Sequence, residues 1–592
     1  MNMMISDPRN ITTGLPIPSE GYADQPYVVQ TDDGAWLLVV TTGKGHEGEG
    51  GQHMISMRSI DQGRTWMNII DVEPADGPEA SYAVLLKVPY GRIYCFYDHN
   101  TDNVREVRMQ DGSICTRVDS LGHYVFKYSD DHGRSWSAQR YDVPVRMFAC
   151  DRENSYGGAL KFFWNVGRPL LLTNEVLLVL HKLGSMDFSH SEGCFMRSSN
   201  ILTERDPDKI TFETLPDGDV GLCAPDGGGE VAEEQSIVTL SDGYLCCIYR
   251  TQDGHPAVSY SRDGGHNWKS PEYLTCFPGG RRVKHPRAAN FIWRCENGKF
   301  LYWFHNHGGP SIKSDSFWDC WSDRNPAWLM AAREIETPNG PMLEFTQPEI
   351  LLYDNDPYVI MSYPDLIETD GRFWVTETQK ALGRVHEIPT ILMDGLFSQW
   401  EANQVAREGL LLELVDNKAT VTAMPRLPDF NKRDSSRLDM SGMDLRSGFT
   451  IEVILTLGTL VPGQAMLDSR RKDGHGLCLR TTDKGTLALV LNDGRSENSW
   501  DTDPGLLQPG QKYHITFVVD GGPKIITVIA NGVLCDGGDT RQFGWGRFSP
   551  HLKNITGSET LHISNQISLI RIYNRALRTS EAVANYKYEM EH

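Results

Sequence analysis

One eight-residue pattern recurs three times in this chain, and it limits the fold more than any other feature. The copies are Ser59-Ile-Asp61-Gln-Gly63-Arg-Thr65-Trp66, Ser129-Asp-Asp131-His-Gly133-Arg-Ser135-Trp136 and Ser261-Arg-Asp263-Gly-Gly265-His-Asn267-Trp268. Each follows a short strand-like run, at residues 53–58, 124–128 and 257–260. The pattern suits a hairpin turn. The Asp carboxylate accepts backbone N–H groups across the turn, Gly supplies a positive φ, and Trp packs beneath. Trp66 and Trp136 lie 70 residues apart, and Trp136 and Trp268 lie 132 apart, about twice 66. One intervening unit has therefore lost its box, near residues 198–214. Degenerate units are expected near 341–350 and 389–400. The result is about six units of roughly 55–75 residues, ending near residue 425. Several short strands per unit, closed by turns, are the pattern of propeller blades.

Composition agrees with a turn-rich β protein. Of 592 residues, 56 are Gly and 31 are Pro. With 57 Lys and Arg against 78 Asp and Glu, the net charge is −21, which repels nucleic acid and anionic membrane surfaces. No apolar run reaches the roughly 18 residues of a membrane span. The start, MNMMISDPRNITTG, shows no basic, then apolar leader. The chain therefore reads as cytoplasmic as written, and as secreted or periplasmic if its N-terminus was trimmed. The 12 cysteines form no CxxC pair and fall mostly in apolar runs, so they are expected as reduced core residues, with no zinc site and no cofactor.

The three boxes resemble the Asp boxes of the sialidase superfamily. That resemblance implies an all-β fold, a six-bladed β-propeller over residues 1–426, with the boxes structural and peripheral. Beyond 426 the pattern changes. Residues 449–455, 486–491 and 513–519 alternate apolar and polar in the manner of a β-sandwich. The end, residues 567–588, resembles the last strand and tail of laminin-G-like, concanavalin-type lectin domains. A β-sandwich (jelly roll) domain is expected over 427–592.

A sialidase-type site needs arginines for a substrate carboxylate, a Tyr nucleophile with a Glu base, and a general acid. The Tyr nucleophile is the family's exception to paired carboxylates. Three segments resemble the family's pattern. In Glu234-Gln-Ser-Ile-Val-Thr-Leu-Ser-Asp-Gly-Tyr-Leu-Cys-Cys-Ile-Tyr-Arg250, a hairpin brings its two ends together. The resemblance makes Glu234 the base and Arg250 a carboxylate arginine. Glu233 is the rival base, expected on the opposite face by strand alternation. Ser322-Asp-Arg324 supplies a second arginine, Arg324. Ser362-Tyr363-Pro-Asp365, before an Asp-Gly turn, supplies the nucleophile, Tyr363. Glu377 and Lys380 are expected at the same rim.

Blade one departs from the family. Where sialidases carry Arg-Ile-Pro, this chain reads Asp24-Gln25-Pro26. An ionised Asp24 would repel a substrate carboxylate, so another cation must compensate or the acid group must sit elsewhere. His46, His53 and Arg168 are the nearest basic candidates. The family's Asp acid/base is also missing from its loop, which reads Gly43-Lys-Gly-His46-Glu47-Gly-Glu49-Gly-Gly-Gln52-His53. Glu49, Glu47 and Asp24 all stand as candidates for the acid. Gln25 and Asp98 are candidate sugar contacts. The histidines 181, 285, 305 and 307 are expected to contact sugar or serve structure rather than bind metal.

The leading expectation is a retaining exo-glycosidase that releases a terminal acidic sugar, sialic acid or a relative, from a glycan. A second reading is a propeller polysaccharide lyase using Tyr and His to abstract a proton beside a uronate. A third is a non-catalytic glycan-binding protein.

Overall fold

The computed structural model describes residues 7–312, 320–416, 418–428, 448–552 and 554–591. The chain is all-β, a six-bladed propeller followed by a two-sheet sandwich. Blade one is built from Tyr22–Gln30, Trp36–Gly43, His53–Ser59 and Met67–Glu73, paired antiparallel in chain order. Blade two begins at Ala80–Lys87, blade three at Phe162–Trp164, blade four at Glu233–Thr239 and blade five at Phe291–Arg294. Blade six holds Ser362–Thr369, Arg372–Thr378 and Gly383–Ile388, and its outer strand is Leu15–Ile17 from the other end of the chain. Leu15 pairs with Val385 and Ile17 with Gly383.

The blades stack face to face, so their inner strands are buried on both sides and read as continuous apolar runs such as Leu37-Leu-Val-Val40. Leu177, Val179 and Phe195 of blade three pack against Ile237, Leu245 and Cys247 of blade four. All 12 cysteines are free, and ten of them are buried.

The repeated turns adopt the expected geometry, between the third and fourth strands of blades one, two and four. Asp61 accepts the Thr65 N–H (2.9 Å) and hydroxyl (2.7 Å), and the Ser59 hydroxyl accepts the Gly63 N–H. Asp131 and Asp263 repeat these bonds. Gly63, Gly133 and Gly265 have φ of 81°, 81° and 94°. Trp268 stacks on Phe195 with centroids 5.1 Å apart. Residues 198–211 do hold a turn of another kind, organised by Asn200. Blade five makes its hairpin at Thr337–Gly340, before the expected 341–350. The degenerate turn expected at 389–400 is instead the helix Thr390–Ser398. Blade six takes its fourth strand from the N-terminal segment, so no covalent turn is needed there.

The sandwich sheets contain Gly448–Thr456, Lys512–Asp520, Ile525–Ala530 and Ile567–Tyr573 on one side, and Ala465–Asp468, Gly476–Thr481 and Leu487–Asn492 on the other. Phe449, Ile451, Val453 and Leu455 all point into its core. The strand pairing does not follow a division at 426/427. Leu410–Leu414 pairs with Ile567–Tyr573, and Val421–Ala423 pairs with Thr560–Ile563. Both are partly exposed edge strands with weak patterning, which is why the composition shift falls after them. Residues 429–447, part of the expected second domain, lie outside the described residues. The tail beyond 578 is the helix Thr579–Glu591.

The two parts are joined. Val518, Ile525, Ile529 and Trp545 of the sandwich share a core with blades four and five. Arg9 bridges Asp7 (2.7 Å) to Asp520 (2.7 Å), all three buried.

Candidate active site

The blade pattern creates the site. In four blades the innermost strand carries a bulge: between Asp24 and Tyr27, Ser81 and Val84, Glu233 and Ser236, and Ser362 and Asp365. Inside each bulge one residue takes a positive φ: Gln25 (53°), Tyr82 (60°), Glu234 (56°) and Tyr363 (46°). Non-glycine residues rarely adopt this conformation, and here it recurs inside the bulge of four innermost strands.

The bulge explains one correction. Glu233 does not point away from Glu234, because the bulge breaks alternation. Glu233 pairs directly with Arg250 in the strand register. Its carboxylate binds Arg250 (2.7 Å) and Arg287 (2.6 Å). The other face of Arg250 meets Glu234 (2.9 Å). Tyr363 donates its hydroxyl proton to Glu234 at 2.8 Å. Glu234 and Tyr363, 129 residues apart in sequence, are thus partners across the axis.

The two glutamates are pushed in opposite directions. Burial raises both, but Arg287 and Arg250 overcome it at Glu233 and hold that carboxyl at about 2. At Glu234 burial prevails over Arg250, and the neighbouring charge of Glu233 adds to it, so its pKa is raised and its proton affinity with it. Tyr363 is pushed up by burial and by Glu234, while Lys380 and Arg250 oppose the rise.

Arg324, ahead of the strand Ala327–Thr337, donates to the Ser362 hydroxyl (2.7 Å) and to the carbonyls of Trp321 and Arg287. It is buried and has no carboxylate within ion-pair distance among the described residues, and desolvation lowers its pKa. A buried guanidinium bonded only to neutral groups is poised for an incoming anion.

A cleft of about 310 Å³ opens over these groups. Among the described residues its charged lining is Arg117, Arg250, Arg287, Arg324 and Lys380 against Glu47 alone. In a chain of net charge −21 this is a concentrated positive field. Tyr82, Trp164, Phe188 and Trp321 form an aromatic wall, with Trp164 and Phe188 centroids 5.4 Å apart.

Asp24 stands in a network of charged groups at one side of the cleft. Asp24 is fully buried and accepts from Tyr22 (2.9 Å) and Lys380 (2.8 Å). Lys380 also pairs with Glu47 (3.0 Å) and lies 4.5 Å from the centre of the Tyr363 ring. Arg117 reaches Glu47 (3.1 Å) and binds Asp119 (2.6 Å). Gly48, with φ of 84°, makes room for this contact, since a Cβ there would stand 2.8 Å from the Arg117 side chain. Burial raises the Asp24 pKa despite Lys380. Burial acts likewise on Glu47, but Lys380 and Arg117 outweigh it and hold Glu47 at about 2.

Of the residues singled out from the sequence, Tyr363, Arg250, Arg324, Lys380 and Glu47 line the cleft, with Glu234 and Asp24 beside them. The others do not line it. Glu49 is exposed and caps the His46 N–H, and His46 is itself exposed. His53 is buried beside the Gly51 carbonyl. Arg168 ion-pairs with Asp365 (2.9 Å) and lines a separate surface groove. Gln25 is buried with neither side-chain polar atom bonded within the protein. Asp98 is buried opposite Ser81, where blade four has Arg250, and burial and Asp119 raise its pKa. Glu377 is buried against His386 (3.2 Å), away from the rim. Strand position brought these residues near the axis, but side-chain direction took them off the cleft. No histidine lines it. His181, His285 and His307 are held by burial at about 3. Arg117, Arg287, Phe188 and Trp321 come from loops without a periodic signal.

No family model matches this chain, and no curated protein matches it. Solved structures similar to it include a protein of unknown function from Dyadobacter fermentans (14% identical over 64% of this chain and 97% of that one, TM-score 0.45). The Trypanosoma rangeli sialidase solved with sialic acid is 13% identical over 99% and 98%, with a TM-score of 0.40. The intramolecular trans-sialidase of Ruminococcus gnavus, in complex with oseltamivir carboxylate, is 15% identical over 66% and 98%, with a TM-score of 0.42.

Proposed function

We propose that this chain is a retaining exo-glycoside hydrolase that releases a terminal acidic sugar, sialic acid or a close relative, from a glycan. The observation that carries the reading is the 2.8 Å hydrogen bond from Tyr363 to Glu234 beside the unneutralised guanidinium of Arg324. Arg324, with Arg250 and Arg287 alongside, receives the sugar's carboxylate. The Tyr363 oxygen attacks the anomeric carbon while its proton passes to Glu234 Oε1. A neutral nucleophile avoids the repulsion that a carboxylate would meet beside the substrate's own charge. Glu47, at the mouth of the cleft, protonates the departing glycosidic oxygen. Water then attacks the tyrosyl–sugar bond with Glu47 as base, and Glu234 returns the proton to Tyr363.

Two features favour hydrolysis over a lyase reaction. The cleft offers no histidine for proton abstraction, and the tyrosine is already paired with a base of raised proton affinity. The test is release of 4-nitrophenol from aryl glycosides of sialic and uronic acids by wild type and Tyr363→Phe. Turnover that is lost in Tyr363→Phe supports the reading. Absence of turnover on every such glycoside sinks it, and an unsaturated product would select the lyase. Full activity in Tyr363→Phe would remove the nucleophile assignment.

A further inference from the structure

Lys380 sits where three requirements meet. It comes from blade six, yet its ammonium lies on the buried Asp24 of blade one. The same nitrogen holds Glu47 at 3.0 Å and stands over the Tyr363 ring at 4.5 Å. Asp24 is wholly buried and is held on its far side by Tyr22, so it is a fixed anchor. Glu47 is different. It belongs to the glycine-rich loop after Gly43, with its side chain about one-third exposed at the mouth of the cleft.

Resting on the acidic-sugar reading above, we propose that Lys380 is a positioning residue that senses the substrate's anion, leaving Glu47 for the sugar's acidic group and so letting Glu47 take up the proton it later donates. Charge balance gives the reason. In the free site Glu47 is the counter-ion of Lys380 and Arg117. A bound carboxylate competes for Lys380 and adds its own repulsion to Glu47. One anion enters and one carboxylate is neutralised by a proton from solvent, so the net charge of the site is unchanged. The groups that face Glu47 are consistent with this. Lys380, Arg117 and, farther off, Arg324 hold it ionised, while burial and the charge of Asp24 favour its neutral form. Neutralising the cations tips that balance. Without such coupling Glu47, held at about 2 in the free site, would be a carboxylate at neutral pH with no proton to give.

The test is titration calorimetry of the full chain with 2,3-didehydro-2-deoxy-N-acetylneuraminic acid at pH 6, in two organic buffers of different ionisation enthalpy. Wild type should take up about one proton per ligand bound. Glu47→Gln should bind with no uptake. Lys380→Met should bind about tenfold more weakly and take up less, because Glu47 has already lost one counter-ion in the free site. A purely structural lysine would change affinity without moving the proton count. Binding by wild type without uptake, or uptake that persists in Glu47→Gln, overturns the inference and leaves the proposed function standing. Failure of the sugar to bind, together with no turnover of its aryl glycoside, removes both.

Discussion

Two consecutive glutamates should respond to the same substitution in opposite ways. In Glu233→Gln, Arg287 loses its carboxylate and Arg250 one of its two, at a position where Glu233 itself is fully buried. Glu233 is held at about 2 against an ordinary 4.5. That gap corresponds to about 3 kcal/mol of folding stability at neutral pH, in line with the cost of breaking a buried ion pair. Because the folded pKa is depressed, this stability is fully present above about pH 4.5 and is lost as pH falls toward 2. Urea unfolding followed by tryptophan fluorescence should therefore show Glu233→Gln less stable by about 3 kcal/mol at pH 7, shrinking to about 2 kcal/mol at pH 3.5. Glu234 has a raised folded pKa, so ionising it weakens the fold as pH rises through its folded value. Glu234→Gln removes that penalty. It should cost far less stability at pH 7 than its neighbour does, while lowering kcat by a factor on the order of 10²–10⁴ through loss of the base. Equal destabilisation by the two variants at pH 7, or a Glu233→Gln deficit of the same size at pH 7 and pH 3.5, would refute the reasoning.

Three further outcomes follow from the same geometry. Arg324→Met should leave the urea midpoint unchanged or higher, since no carboxylate depends on it, and should raise KM for an acidic aryl glycoside about 100-fold with little change for a neutral one. Arg168→Met should leave kcat/KM within about twofold of wild type, because its pair with Asp365 lies outside the cleft, but should cost about 1–3 kcal/mol, because the Asp365 carboxylate left behind is buried. Asp263→Ala removes three hydrogen bonds from a peripheral turn, so unfolding should register a loss of about 1–3 kcal/mol while kcat stays unchanged.

The hairpins carried most of what could be read in advance. Asp242-Gly243 and Asp370-Gly371 reverse the chain with positive φ at both positions, and strand length then fixes which residues share an end. That is how Glu234 and Arg250 could be grouped from the sequence, whereas Tyr363 joined them only through the resemblance. Local pattern did not reveal the bulges, which are non-periodic by nature, so Glu233 was expected on the wrong face. It also could not show which way Arg168, His53 and Glu377 turn, because proximity to a rim does not set side-chain direction. Arg117 and Trp321 were out of reach for another reason. They lie in irregular connections whose approach to the axis is decided by the whole ring of blades, and no spacing in the sequence encodes it. Asp24 pointed to a missing cation, but Lys380 answers it from the opposite end of the propeller.

The pairing of Leu15–Ile17 with Gly383–Ile388 has a consequence for the order in which the protein is made. The outer strand of blade six is synthesised first and waits about 370 positions for its partner, a closure whose entropic cost is about 5 kcal/mol. Five blades can assemble behind the ribosome as each is completed, but the sixth cannot. It is also the blade that presents Tyr363. Tyr363 therefore stands on the last sheet of the propeller to be completed, and the cleft that it lines is whole only when the ring is shut.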